Sequence, residues 1–205
     1  MTRHLPEAER KAQILRAARA VFIQEGYLAS RVEDVAKRAG LSKGAVYFYF
    51  PSKRDLFMAL VHEEHEATYS FLETAEGDDR TAAVKMLDLG QKYLDYFAGL
   101  KSPPRFFLMM CEQAIRDDEI REEVQAVHQR FVDATARILA QGMAEGVFRP
   151  ADPLAVAQVL KALIDGLAGG SAIGIRPDKD RLRTDGIQMM LYGLLAHPPP
   201  PPGRP

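Results

Sequence analysis

Apolar residues recur three and four positions apart through most of the chain, and no stretch alternates convincingly in twos, so the pattern predicts helices throughout. Ile14, Ala18, Val21 and Phe22 form the buried stripe of a first helix that Gly26 ends. Val32, Val35, Ala36 and Ala39 form the stripe of a second, with Glu33, Lys37 and Arg38 left in water. Ser30, with Glu33 three residues on, predicts a capping box at its start. Gly40 can take the left-handed conformation that closes a helix, Leu41 can drop into the core, and Ser42 is a good N-cap for a third helix from Lys43. Beyond it the spacing predicts helices over 53–76, 80–100, 105–116, 118–145, 153–169 and 179–195. Breaks fall at Gly77, Asp78 and Asp79, at Ser102, Pro103 and Pro104, and at Gly146. The expectation is an all-α chain of about nine helices.

The turn around Gly40 has the grammar of a helix-turn-helix. Val46 and Phe50, four apart, can both face inward, which leaves Lys43, Gly44, Ala45, Tyr47 and Phe48 outward near the start of the third helix. A major groove admits a helix whose outer face is small, so Gly44 and Ala45 allow close approach to base edges and thymine methyls. Tyr47 can donate to a phosphate, and Lys43 and Lys53 supply charge. Glycine inside a helix costs roughly 1 kcal/mol relative to alanine, which a purely structural helix has little reason to accept. A generic helical hairpin uses the same turns and caps, and an aromatic run such as Tyr47 to Phe50 also suits a core.

Charge changes the picture more than composition does. With 205 residues, 47% of them hydrophobic, the chain can bury a good core in one or two domains. Its net charge is only −1, yet residues 1–55 hold 11 Lys/Arg against 6 Asp/Glu, while the remainder is acidic. A basic end on an acidic body suits contact with a phosphate backbone. The single Cys111, set in LMMCE, excludes an intrachain disulfide and reads as a packed small hydrophobe. The charged N-terminus predicts no signal peptide, and no apolar run was expected to span a membrane, so a cytoplasmic protein is expected. The tail His197 to Pro205 predicts an exposed polyproline segment.

Catalytic and metal chemistry find little support. His62 and His65 stand three apart, not the four of H-E-x-x-H, in a charged run with Glu63, Glu64 and Glu66 that suits a solvated helix face. Asp117, Asp118, Glu119, Glu122 and Glu123 open a helix, where carboxylates favour the dipole. No nucleophile elbow or phosphate loop occurs, and Gly166, Gly169, Gly170 and Gly174 lack the strand that a nucleotide fingerprint needs. The expectation is no enzyme, no cofactor and no metal.

The run from Ala36 through Ala39, Gly40, Leu41, Ser42, Lys43, Gly44, Tyr47, Phe50, Ser52 and Lys53 resembles the N-terminal DNA-binding domain of the TetR/AcrR family of transcriptional regulators, almost position by position. Upstream, Ile14, Leu15, Ala17, Ala18, Phe22, Gly26 and Tyr27 match the family's first helix. The resemblance implies a three-helix helix-turn-helix domain over 1–52, a helical effector-binding and dimerisation domain over 53–197, and leaves 198–205 as a disordered proline-rich tail. It implies operator contacts from Ser42, Lys43, Gly44, Ala45, Tyr47, Phe48, Tyr49 and Lys53. Arg31 stands where threonine is common, adding a charge near the phosphates, and Tyr49 where histidine is frequent.

For the larger domain, Met86, Phe97, Phe106, Phe107, Met109, Met110 and Phe131 put aromatic and thioether side chains on central helices, a lining suited to an apolar or mixed effector, although core packing explains the same residues. Leu154, Ala157, Leu160, Ile164 and Leu167 on one helix, with Met190 and Leu194 on another, suit an isologous four-helix dimer interface of the kind the family uses, or an internal core. The expected protein is a homodimeric repressor that leaves a palindromic operator when a small, largely apolar effector binds. The alternatives are a DNA-binding protein without ligand response and, further off, an all-α enzyme.

Overall fold

Residues 5–76, 79–98, 104–176 and 178–195 are described in a computed structural model, and their regular backbone is helical apart from one two-residue bridge, Phe148 with Leu195. Nine helices run through the described residues: α1 Glu7–Glu25, α2 Val32–Ala39, α3 Lys43–Tyr49, α4 Lys53–Glu76, α5 Ala82–Ala98, α6 Pro104–Arg116, α7 Asp118–Ala144, α8 Pro153–Ala172 and α9. The last is continuous in three pieces, Lys179–Arg181, a π-turn at Leu182–Gly186, and Ile187–Leu194. Gly77, Asp78, Ser102, Pro103, the proline tail and the side chains of His65 and Phe97 lie outside the described residues.

Local chemistry sets the ends of these helices. Gly40 takes φ 67° and ψ 33°, and two reverse hydrogen bonds close α2: Gly40 N–H to the Lys37 carbonyl at 3.2 Å and Leu41 N–H to Ala36 at 2.9 Å. The Ser42 hydroxyl accepts from Ala45 N–H at 3.1 Å and starts α3, as predicted. Asp152 caps α8 by accepting from Leu154 N–H at 2.9 Å, with Pro153 in the first turn. The box at the start of α2 is built differently from expectation. Ser30 is buried and donates to the Tyr27 carbonyl at 2.8 Å, so Asp34, not Glu33, reaches back to accept from the Arg31 backbone N–H at 3.1 Å.

The helices gather into two compact units, Met1–Glu66 with Arg105–Val124, and Ala67–Pro104 with Gln125–Pro205. In the first, α1 to α3 close over Ile14, Ala18, Phe22, Val35 and Val46. Leu56, Phe57, Leu60 and Val61 of α4 and Phe106 of α6 are fully buried in the same core. Phe57 joins the pieces, with ring centroids 4.7 Å from Tyr27, 5.5 Å from Phe106 and 6.1 Å from Phe22. Around this core runs a set of ion pairs. Arg54 grips Asp117 with two bonds of 2.8 Å and reaches Glu119 at 2.6 Å, while Arg19 pairs with Glu64 and stacks 4.8 Å over Phe106.

The second unit packs α5, α7, α8 and α9 around Leu72, Leu89, Tyr93, Phe131, Leu139 and Phe148. Gly146, at φ 71°, closes α7 and turns Phe148 back against Gly142. A Cβ at Gly142 would lie 2.2 Å from the Phe148 ring, so only glycine fits there. Helix α8 is, by length and composition alone, apolar enough to cross a membrane, contrary to the expectation that no apolar run is long enough. Here Ala157, Leu160 and Ala168 face the core, and a Lys161–Asp165 ion pair sits on the same helix.

Candidate functional site

Helix α3 turns an uncommonly apolar face to solvent. Phe48 is 81% exposed and Tyr47 38%, while Val46 and Phe50 are buried against the other helices. An ideal Cβ at Gly44 would meet nothing within 4 Å, so this glycine serves no internal packing. Ser42 and Lys43 are exposed and Ala45 half-buried; Arg31 is exposed at the start of α2. Lys43 pairs with Glu33 at 2.5 Å and lies 5.6 Å over the Tyr47 ring. The shared hydrogen bond holds the Glu33 carboxyl below, and the Lys43 ammonium above, their usual values.

Two of the expected contact residues sit differently from the rest. Tyr49 is half-buried against the first unit's core, edge-on to Phe48 at 5.0 Å. Lys53 is turned inward, its ammonium donating to the carbonyls of Tyr27 at 2.7 Å, Ser30 at 3.0 Å and Leu28 at 3.3 Å, with the Tyr27 ring 4.6 Å away. Burial pushes its pKa down. Three donors meet three carbonyls, so Lys53 fastens the start of α4 to the loop between α1 and α2.

The second unit holds a half-open cavity of about 440 Å³. Met86 and Phe131 line it. Phe106, Met109 and Met110 instead pack in or on the core of the first unit, and Phe107 is half-buried away from the cavity wall. Helix α6 is apolar enough for either place, and spacing alone does not choose. The stripe expected at a dimer interface also turns inward. Ala157 and Leu160 are buried, and Leu160, Ile164, Leu167, Met190 and Leu194 line the cavity, leaving only Leu154 outward at 47%. The outward apolar side of α8 carries Ala155, Val159, Ala162 and Gly166, with Val159 61% exposed, while Leu163 and Met189 of α9, both exposed, stand at the cavity mouth and line it as well. Sequence reasoning missed Tyr93, Thr135 and Arg176 on the cavity wall. A readable trace of Thr135 exists, since it interrupts the apolar stripe Phe131, Thr135, Ile138 and Leu139.

Among the described residues no group of three metal-ligating side chains forms. A three-helix domain with an exposed α3 face, together with a helical unit holding a cavity, is the architecture of a helix-turn-helix regulator. Comparison with known proteins agrees. Residues 14–60 match the model of the bacterial regulatory proteins of the tetR family, and residues 100–190 match the C-terminal domain of the BetI-type transcriptional repressors. The HTH-type transcriptional regulator YfiR of Bacillus subtilis is 30% identical over 162 residues, 78% of each chain. In fold the chain is similar to a transcriptional regulator from Saccharomonospora viridis in complex with choline (TM-score 0.81, 23% identity, 92% of this chain and 99% of that one). It is also similar to NalD, the secondary repressor of the MexAB-OprM multidrug efflux pump in Pseudomonas aeruginosa (TM-score 0.76, 23% identity, 93% and 98%). The chain belongs to the TetR family and is a DNA-binding transcriptional regulator, not an enzyme.

Proposed function

We propose that the protein is a cytoplasmic repressor that binds a palindromic operator as a two-fold dimer and leaves it when a small, largely apolar effector fills the cavity of the second unit. The observation that carries the DNA half is the exposed α3 face, where Gly44 faces open space and Phe48 is largely exposed among the described residues. Ser42, Lys43, Gly44, Ala45, Tyr47 and Phe48 approach the major groove, and Arg31 the adjacent phosphates. Tyr49 contributes from the edge of this face, and Lys53 acts by holding α4 in place.

The cavity supports the effector half. Its walls are mainly aliphatic, aromatic and thioether groups, and its volume falls within the range of small-molecule sites. An effector can shift DNA affinity only by binding one conformation better than another. The outward side of α8, through Val159 and Ala162, suits an isologous contact between two copies.

Selection of bound duplexes from a random library, followed by footprinting, tests the reading. A two-fold symmetric site is expected; absence of sequence preference would defeat it. Val159→Glu should yield monomers in light scattering and lose the symmetric footprint. A gel-shift screen of small apolar compounds should find release, and its failure would favour a regulator without ligand response.

A further inference from the structure

We propose that the effector is an anionic amphiphile, with one acid group at the end of an apolar body and a second, neutral polar substituent on that body. This rests on the reading of the cavity as an effector site and deepens it.

Two polar groups on the cavity wall bear on what would fill it, a buried hydroxyl without a partner and an exposed cation. Thr135 is fully buried, and its hydroxyl has no hydrogen-bond partner among the described residues. A helical threonine ordinarily bonds back to the carbonyl one turn earlier; a buried hydroxyl left unmatched is costly, so an occupant that pairs with it gains accordingly. Arg176 sits at the other kind of position, exposed at the rim. Its place is set by local backbone chemistry. Gly174, at φ 91°, closes α8 with Gly174 N–H on the Ser171 carbonyl at 3.1 Å and Ile175 N–H on Gly170 at 2.9 Å, which folds Ile175 and Arg176 back onto the cavity wall.

Arg176 is the only charged side chain among the described lining residues, and none is acidic. A carboxylate placed at the rim stays partly hydrated while it meets the planar guanidinium, whereas the same carboxylate deep among leucines would be strongly disfavoured. An organic cation finds the reverse. It lacks a counter-charge, and the aromatic pair that could cage it is already engaged. Tyr93 and Phe131 stand edge to face at 5.3 Å, and the Lys161 ammonium lies 5.6 Å over the Phe131 ring. Acid at the rim, apolar body within and a hydroxyl or carbonyl on Thr135 match the charge, the apolar lining and the unpaired hydroxyl together.

Titration calorimetry on the full chain tests this with decanoate, 1-decanol and decyltrimethylammonium, each below its micellar concentration, and with 3-hydroxydecanoate and 10-hydroxydecanoate. Decanoate should bind about fivefold tighter than 1-decanol, with decyltrimethylammonium weakest, and Arg176→Gln should erase the gap between acid and alcohol. One hydroxylated acid should exceed decanoate by about fivefold, and Thr135→Val, which keeps the side-chain shape, should remove that advantage without weakening decanoate. Thr135→Ser, which keeps the hydroxyl, should retain it. Preference for the cation, an acid preference that survives Arg176→Gln, or a hydroxyl advantage that is absent or survives Thr135→Val would overturn the proposal. A gel shift separates it from the reading beneath. Acid binding without DNA release leaves the proposal standing and removes the effector role; release by the cation keeps the effector role and overturns the proposal; no binding by any compound overturns both.

Discussion

The two units solve opposite problems with the same element. The first is closed around clustered, mutually tilted aromatic rings, with Phe22, Phe57 and Phe106 fully buried and a belt of arginine–carboxylate pairs outside them. The second surrounds about 440 Å³ of space and leaves a buried threonine hydroxyl unpaired on its wall. A reader that must present α3 in one geometry profits from dense packing, which resists deformation. A sensor needs room and an unmet group that a ligand can satisfy. The contrast is one of degree, since the first unit also buries one unpaired amide nitrogen, on Gln113.

The contrast can be broken most directly in the first core. Phe57→Ala removes the ring that joins α1, α4 and α6 and should cost about 3–5 kcal/mol, read from urea unfolding followed by circular dichroism. If it costs no more than the matching truncation in the second unit, the difference in packing is not real. In the second unit the largest effect is expected at Gly142→Ala, whose methyl would strike the buried Phe148 ring. It should cost about 2–3 kcal/mol, whereas Gly44→Ala, in open space, should leave stability unchanged or raise it. Phe131→Ala, on a wall already facing space, should cost about 2 kcal/mol, less than Phe57→Ala because fewer contacts are lost.

Smaller effects probe the polar belt and the reader's face. The Arg54 guanidinium holds the Asp117 carboxyl at about 2, below its ordinary 3.8, and Asp117 also accepts from the backbone N–H groups of Glu119 and Ile120 at the start of α7. Its folded pKa is depressed, so its contribution is fully present above pH ~4 and fades as pH falls through ~2. Asp117→Asn should cost about 1 kcal/mol at neutral pH and flatten the loss of urea resistance over that acid window. The smallest effect is expected at Glu33→Gln, which frees Lys43 from its ion pair. Operator affinity in a gel shift should rise a few-fold, with a slightly steeper salt dependence; an unchanged salt slope would take Lys43 off the phosphates.

The first three helices were legible because their determinants lie within a few residues of one another: a glycine at positive φ, a serine cap, a stripe at three-four spacing. Even there, neighbours chose between equal candidates. Ser30 and Glu33 make a plausible capping box in sequence, but Ser30 is buried against the Tyr27 carbonyl and the task falls to Asp34. Lys53 reads as a surface charge until three carbonyls of the α1–α2 loop are seen around its ammonium.

In the second unit the limits are sharper. Helix α8 is apolar on more than one side, so its pattern gives a helix but not the side that faces inward. Of the residues expected between two copies, Leu160, Ile164, Leu167, Met190 and Leu194 line the cavity and Ala157 is buried in the core, while Leu154 and the neighbouring Val159 are left outward. Met109 and Met110 carry the composition of a ligand wall and sit in or on the reader's core.

The amino-acid sequence by itself determined the helical class, the three-helix reader and the residues on its outward face, because caps, turns and periodicity are local and a helix needs little else. Tertiary structure alone decided which apolar stripe meets which, and therefore where the cavity lies and which side chains wall it. Apolar contacts are non-directional, so equally apolar faces are interchangeable until the fold selects one.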